Sequence, residues 1–438
     1  MKIRALVLIV IAFCFLPQRG QASDCRSELG AHLKPITATS PFSWALETTL
    51  VAGAMENSDL NRTFNSQMLY GGLDFSATHH QLYFETGLKY WSKSDEAERT
   101  GTGNGTGSSL PTNFYKPEKR HWGLREFFYG FHKNDTQIKV GLQSMKFNQS
   151  LLLDERVLGA SFEQTLHGWD VALKTGTVAT DFARMGDFCG TRHVYRLLPN
   201  GRFNLVSDQL WETNFVGTSL SWQPSRETEE PNVMDDDGFS MESFSSFEET
   251  TPPLIQEIRL IFYEEFGSGF HTYKYYLGSG ATFNLPLNLD LNTEILYQAI
   301  QNENALAYRI QCQKDWAWNS GALSGLNIMY WGKYAFDAGS RFYPAFSNLY
   351  LGEVMRLDAL DLPCWTASVR HAFAFPLKPA IELYYLKQSE LDHVQEWDMQ
   401  LSAHVYRGLV CYGIFSQLQS DAVGSVTNMA KVEMRWAF

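Results

Sequence analysis

The sequence predicts an all-β chain: a single antiparallel up-and-down transmembrane β-barrel of about eighteen strands, with sixteen as the alternative count. Three observations predict it. Apolar and polar residues alternate with period two in segment after segment. The segments run longer than the ~5–6 residues usual in soluble sheets and match the ~9–11 residues of a tilted membrane strand. The spacers between them tend to alternate between long and short, as in a barrel with loops at one end and turns at the other.

The N-terminus comes first. MKIRALVLIVIAFCFLPQRGQAS carries Lys2 and Arg4, then an apolar run from Ala5 to Leu16, then small residues at Gly20 and Ala22. That is the layout of a secretory signal peptide spanning 1–22. The run falls short of the ~20 residues a spanning helix needs. Residues 23–41 then read as a short periplasmic lead, and 42–438 as the barrel.

Along 42–438 the alternation defines strands near 42–54, 66–77, 81–92, 121–133, 136–148, 159–167, 169–179, 213–223, 254–266, 271–284, 288–301, 304–318, 321–336, 363–376, 379–389, 394–406, 408–418 and 428–438. At 396–406, Trp397, Met399, Leu401, Ala403 and Val405 share one face, and Glu396, Asp398, Gln400, Ser402 and His404 the other. The final KVEMRWAF sets Val432, Met434, Trp436 and Phe438 against Lys431, Glu433 and Arg435. With both termini in the periplasm, the long joins 93–120, 180–212 and 337–362 fall outside. Asn134-Asp135 and Arg407-Gly408 fall inside. The join 224–253 breaks this pattern, because it is long and falls on the inner side. Either a strand is miscounted there or a large periplasmic turn exists.

Composition narrows the function classes. Without Lys2, Arg4 and Arg19 the chain holds 33 basic against 48 acidic residues, a formal charge of −15. A generic nucleic-acid binder would be basic. Cys25, Cys189, Cys312, Cys364 and Cys411 are scattered without CxxC spacing, so no zinc site and no particular disulfide is expected. There is no GxSxG, HExxH or Walker loop. His79-His80 sits at a turn and carries no metal expectation. The stretch 226–249 holds nine carboxylates but lacks the alternating ligand spacing of a calcium loop, so it reads as a solvated segment. No enzyme activity, metal or cofactor is expected.

The informative charges lie on the polar strand faces. A charge on the lipid side of a barrel strand costs ~2–4 kcal/mol at mid-membrane, so these side chains should point inward. They are Glu85, Lys89, Lys139, Glu257, Arg259, Glu294, Arg309, Arg370, Glu382, Glu396, Asp398, Lys431, Glu433 and Arg435. Both signs are well represented. They would either filter polar and charged solutes across a water-filled lumen or form salt bridges that hold the wall.

Three patches resemble outer-membrane porins, most closely the alginate-export family: LREFFYGFHKNDTQIKVGLQSMKFNQSLLLDERVLG at 124–159, FYPAFSNLYLGEVMRLDALD at 342–361, and EWDMQLSAHVYRGLVCYGIFSQL at 396–418. Leu142 stands where that family commonly has Arg. The resemblance implies an 18-stranded monomeric barrel in the outer membrane of a Gram-negative bacterium, passing a polar or charged small solute, with no nucleic-acid partner. By residue match it adds Arg125, Glu126 and Arg156 to the pore-lining candidates, alongside Arg370. It also implies that a strand ending at Phe438 is the signal read by barrel-assembly machinery. The alternatives are an export pore for an anionic polysaccharide such as alginate, an adhesive or structural barrel, and an outer-membrane hydrolase.

Overall fold

A computed structural model of the chain describes residues 34–35, 40–56, 61–95, 118–148, 151–178, 214–224, 253–267, 274–300, 303–336, 350–351, 357–358, 363–375, 377–388, 394–406, 408–420 and 425–438. The signal-peptide expectation, residues 96–117 of the join 93–120, the lead apart from residues 34–35 and 40–41, and the acidic stretch 226–249 lie outside these residues.

The described residues build eighteen long strands: β1 Phe42–Glu56, β2 Asn61–Ala77, β3 His80–Asp95, β4 Glu118–Lys133, β5 Thr136–Phe147, β6 Leu153–Leu166, β7 Trp169–Val178, β8 Asn214–Trp222, β9 Ile255–Phe266, β10 Lys274–Leu285, β11 Leu289–Ile300, β12 Glu303–Ala317, β13 Leu323–Ala335, β14 Cys364–Ala372, β15 Ala380–Gln388, β16 Gln395–Tyr406, β17 Leu409–Ser420 and β18 Ser425–Ala437. Each pairs antiparallel with its sequence neighbours, and β1 pairs with β18 from Glu47↔Ala437 to Glu56↔Asn428. The sheet is thus closed on itself and leaves no edge among these strands. Residues Lys34–Pro35 pair with Ser43 and Trp44, and Tyr350–Leu351 pair with Leu357–Asp358.

The turns follow from local chemistry. At the end of the barrel where β1 begins and β18 ends, tight reversals use left-handed residues: Thr78 (φ 53°), Asn134 (φ 51°), His167 (φ 51°) and Asn288 (φ 55°). Two-residue hairpins need such dihedrals because their twist then matches that of the strands. The join from β8 to β9 lies at this same end. Those strands pair directly, from Trp222↔Ile258 to Asn214↔Phe266. No further strand therefore stands between them in the wall. The count of eighteen stands, and a long connection sits among the short turns.

The alternation sorts side chains as expected. Leu73, Trp397, Val369, Leu277, Leu88 and Phe127 point outward, each about half exposed. A large apolar side chain left in water forgoes ~1.5–3 kcal/mol of burial, so a continuous outward belt of them calls for a non-aqueous surrounding. Aromatic pairs flank the belt. Trp436–Phe438 (4.3 Å between centroids), Trp169–Trp222 and Phe42–Phe75 lie toward the terminal end. Tyr385–Trp397 and Tyr330–Trp365 lie toward the other.

Several strands begin earlier than the alternation implied. β2 starts at Asn61, and β6 starts at Leu153, so Asp154, Glu155 and Arg156 belong to a strand rather than to a loop.

Candidate functional site: the barrel interior

The interior is organised by a hairpin that leaves the wall. On the even positions of β5, Ile138 and Val140 are apolar, and Val140 is half exposed on the outer surface. Beyond Gly141 the pattern inverts. The same face becomes Ser144 and Lys146, both exposed. The opposite face becomes Met145 and Phe147, both buried.

The inversion coincides with a transverse row of glycines. Gly141 pairs with Gly159, and Gly159 with Gly176, across β5, β6 and β7. Gly141 has φ +133°, a conformation that disfavours a side chain, and a Cβ on Gly159 would lie 2.1 Å from the Thr175 carbonyl oxygen. Past this row the end of the β5–β6 hairpin bends into the lumen.

Its contacts establish where it goes. Met145, Phe147, Leu151, Leu152, Leu153 and Val157 form one apolar cluster with inward residues of the wall from β8 to β15, including Phe215, Ile261, Tyr263, Leu296, Trp331 and Leu386. The Phe147 ring lies 5.6 Å from that of Tyr263 and covers Gly217, where a Cβ would approach it to 3.1 Å. The turn closes through Leu151 N–H donating to the Asn148 carbonyl at 2.9 Å. From there Asn148 Nδ2 donates to Glu294 Oε1 on β11. The hydrophilic lining read from the alternation is therefore corrected over this sector, where the inner wall is apolar and covered by the hairpin.

On β9 to β13 one transverse row holds Arg259, Gly280, Glu294, Arg309 and Trp331. Arg309 Nη2 is 2.8 Å from Glu294 Oε2, and its guanidinium sits 5.4 Å from the Trp331 ring. Arg259 lies against Gly280, and its Nη1 is 4.0 Å from Glu257 Oε1, which also accepts from Ser221 Oγ at 2.7 Å.

A second charge group sits on the near wall. The pairing of β3 and β4 shifts between Glu85↔Glu126 and Thr86↔Leu124, which makes Arg125 an extra residue. This β-bulge re-aims a side chain. Arg125 turns inward beside Glu126, Nη1 2.5 Å from Glu85 Oε1 and the guanidinium 4.0 Å from the Tyr70 ring. Gly87 makes room, because a Cβ there would meet Tyr70 at 2.7 Å and Arg125 at 3.0 Å. Glu126 Oε1 is 3.4 Å from Arg156 Nη2. Arg156 lies on the same side of the hairpin as Ser144, its register partner.

The remaining predicted residues take inward positions. Lys139 Nζ lies 5.3 Å from the Phe128 ring. Arg370 and Glu382 face each other across β14 and β15. Glu396 and Asp398 are buried on β16, in register with Leu386 and Tyr384. On β18, Lys431 and Glu433 are fully buried, and Arg435 bonds Glu433 through Nε. Lys89 occupies an inward register position opposite Met68, and its side chain lies outside the described residues. Acids and bases thus meet mostly as neighbours on adjacent strands, not as opposed charges across the lumen.

Sequence reasoning missed the ion pairs Glu265–Lys274 (3.3 Å) and Glu163–Lys174 (2.6 Å), and it missed Asn148, Lys146 and the leucine triplet. A signal existed for the apolar sector. Leu260-Ile261-Phe262-Tyr263 and Ile328-Met329-Tyr330-Trp331 are unbroken apolar runs, the mark of a strand covered on both faces. Among the described residues no group of three His, Cys, Asp or Glu side chains could hold a metal ion.

No family model matches the chain, and no curated protein matches it. Solved structures do. OpdQ of Pseudomonas aeruginosa superposes with TM-score 0.52 at 9% identity, covering 91% of this chain and 98% of that one. OccK7 (OpdD) of the same organism gives 0.51 at 13%, covering 91% and 99%. OpdK with vanillate, also from Pseudomonas aeruginosa, gives 0.50 at 8%, covering 90% and 98%. The likeness does not single out the alginate-export family, and at these identities it is one of fold: this chain shares an eighteen-stranded closed barrel with the Opd and Occ proteins over nine-tenths of its length.

Proposed function

We propose that the protein is an outer-membrane channel of a Gram-negative bacterium, passing polar or charged small solutes passively. The observation that carries this reading is the sidedness of the barrel. An outer belt of half-exposed Leu, Phe, Trp and Val lies between two aromatic bands, while the buried charged side chains described on the strands, among them Glu85, Arg125, Glu294, Arg309, Lys431 and Glu433, face inward. A closed barrel satisfies its backbone hydrogen bonds internally, so it can cross hydrocarbon with strands. Polar inner groups replace part of a solute's hydration and set which charges enter.

The pairing of the charges bears on the solute. Arg125, Arg156, Arg309 and Arg435 each have a glutamate within ion-pair distance. A conduit for a polyuronate calls for basic groups left unmatched, so this interior favours small solutes over an anionic polymer. Assembly would run through β18, where Phe438 N–H donates to the Leu46 carbonyl at 2.8 Å and completes the β1–β18 seam. That strand is the element we assign to the barrel-assembly machinery.

Planar-bilayer recording of the folded, purified protein tests the channel reading. Discrete conductance steps are expected. A folded barrel that stays silent under all voltages would overturn it.

A further inference from the structure

The inserted hairpin has two unlike sides. One side, Met145, Phe147, Leu153 and Val157, is buried to 2% exposure or less against the β8–β15 wall. The other side carries Ser144 and Lys146, exposed, and Arg156, which reaches Glu126 on β4. The hairpin therefore divides the interior into a dry sector and a polar one.

We propose that solute passes along the polar back of this hairpin, between it and the β2–β4 wall, with Ser144 and Lys146 on the path. This rests on the channel reading above and deepens it, by placing the path off the barrel axis and naming its selectivity residue. Three observations converge. The dry side has no space for hydrated solute, because Leu151, Leu152 and Leu153 are fully buried there. The polar side holds exposed groups at a level where Asn148 already touches Glu294, near the middle of β11. The cations near Lys146 are engaged: Arg156 by Glu126, and Lys174 by Glu163 at 2.6 Å and by the Lys146 carbonyl at 2.9 Å. Lys146 is exposed on this back, so the path presents a cation and suits small solutes that carry an anionic group.

The experiment places single cysteines at Lys146→Cys and Ser144→Cys, on the polar back, and at Met145→Cys and Val157→Cys, on the dry side. Each is treated with a water-soluble cationic methanethiosulfonate. Wild type is treated in parallel, since Cys364 and Cys411 are buried and Cys312 is partly so. Loss of conductance is expected in Lys146→Cys and Ser144→Cys alone, together with a reversal-potential shift toward cations in Lys146→Glu. Unchanged conductance after confirmed modification at both polar positions would overturn the proposal, as would block through Met145→Cys. Should the wild type never conduct, the channel reading fails by itself. Mass-spectrometric reaction at positions 144 and 146 but not at 145 and 157 would then still report the polar sector, and the reverse pattern would refute it.

Discussion

Asn148 Nδ2 donates to Glu294 Oε1, joining the tip of the β5–β6 hairpin to β11 across 146 residues of sequence. The same carboxylate holds Arg309 through its other oxygen at 2.8 Å. One acid thus fastens the hairpin and neutralises a buried guanidinium. The two roles separate by mutation. Asn148→Ala removes one hydrogen bond to a charged group, worth ~1.5–3 kcal/mol. Glu294→Ala also strands Arg309, and breaking a buried pair costs ~3–5 kcal/mol. Denaturant unfolding in detergent should rank Glu294→Ala below Asn148→Ala. Both should increase open-channel noise in bilayer recordings, because the tip loses its anchor. Equal unfolding midpoints for the two variants would contradict this division.

The glycine row predicts a folding defect of a particular kind. A Cβ on Gly159 would stand 2.1 Å from Thr175 O and 2.7 Å from the Gly176 Cα. Backbone atoms cannot yield as a flexible side chain can. Gly159→Val should therefore lower the yield of heat-modifiable, folded barrel far more than Gly71→Val, since the nearest atom to a Cβ on Gly71 is the Leu46 side chain at 3.8 Å. The readout is the ratio of folded to unfolded bands in unheated electrophoresis. Similar yields for the two would remove the row as the cause of the bend.

Most of the wall was legible in the sequence, and the reason is physical. Side chains alternate across a strand, and a membrane strand must be apolar on one face, so a residue such as Val369 or Trp397 declares its side by parity. The inserted hairpin escaped the same logic. Period two runs unbroken through Gly141, and parity states only that Ser144 and Met145 differ in side. It does not say that lipid and core have exchanged places. The clue was chemical: the series Val140, Leu142, Ser144, Lys146 turns from apolar to polar at the bend. Arg125 and Glu126 show the complementary failure. Two consecutive residues can both face inward only through a bulge, which a strict alternation excludes. Here the family resemblance supplied both residues, while parity alone would have supplied one.

Sidedness can be measured directly. Val369 is half exposed on the outer face of β14, and Ser368 beside it is buried on the inner face. Val369→Lys should cost ~2–4 kcal/mol if it sits near the membrane midplane. Thr48→Lys on β1 would carry the same sign of penalty, since Thr48 lies on the outer parity and bonds the Met68 carbonyl at 3.1 Å. The comparison is equilibrium folding into lipid vesicles. A Val369→Lys variant as stable as wild type would mean that this face does not meet hydrocarbon.

Ser324 Oγ lies 2.8 Å from His371 Nδ1 on the outer face, the pairing a barrel-borne hydrolase would use. Its surroundings argue for a structural role. Trp318 Nε1–H also donates to Ser324 Oγ at 2.8 Å, and the serine is only 7% exposed. A hydroxyl that accepts from an indole is less available as a nucleophile. The His371 ring packs edge-on against Phe373 at 4.4 Å, so Ser324 Oγ links His371 Nδ1 and Trp318 Nε1 within an aromatic band. A fluorophosphonate probe should therefore leave Ser324 unlabelled. Ser324→Ala should keep wild-type conductance and lose ~1–3 kcal/mol of stability, because the indole N–H would be left without an acceptor. Labelling at Ser324, abolished in Ser324→Ala, would instead assign an ester-cleaving activity to the outer surface.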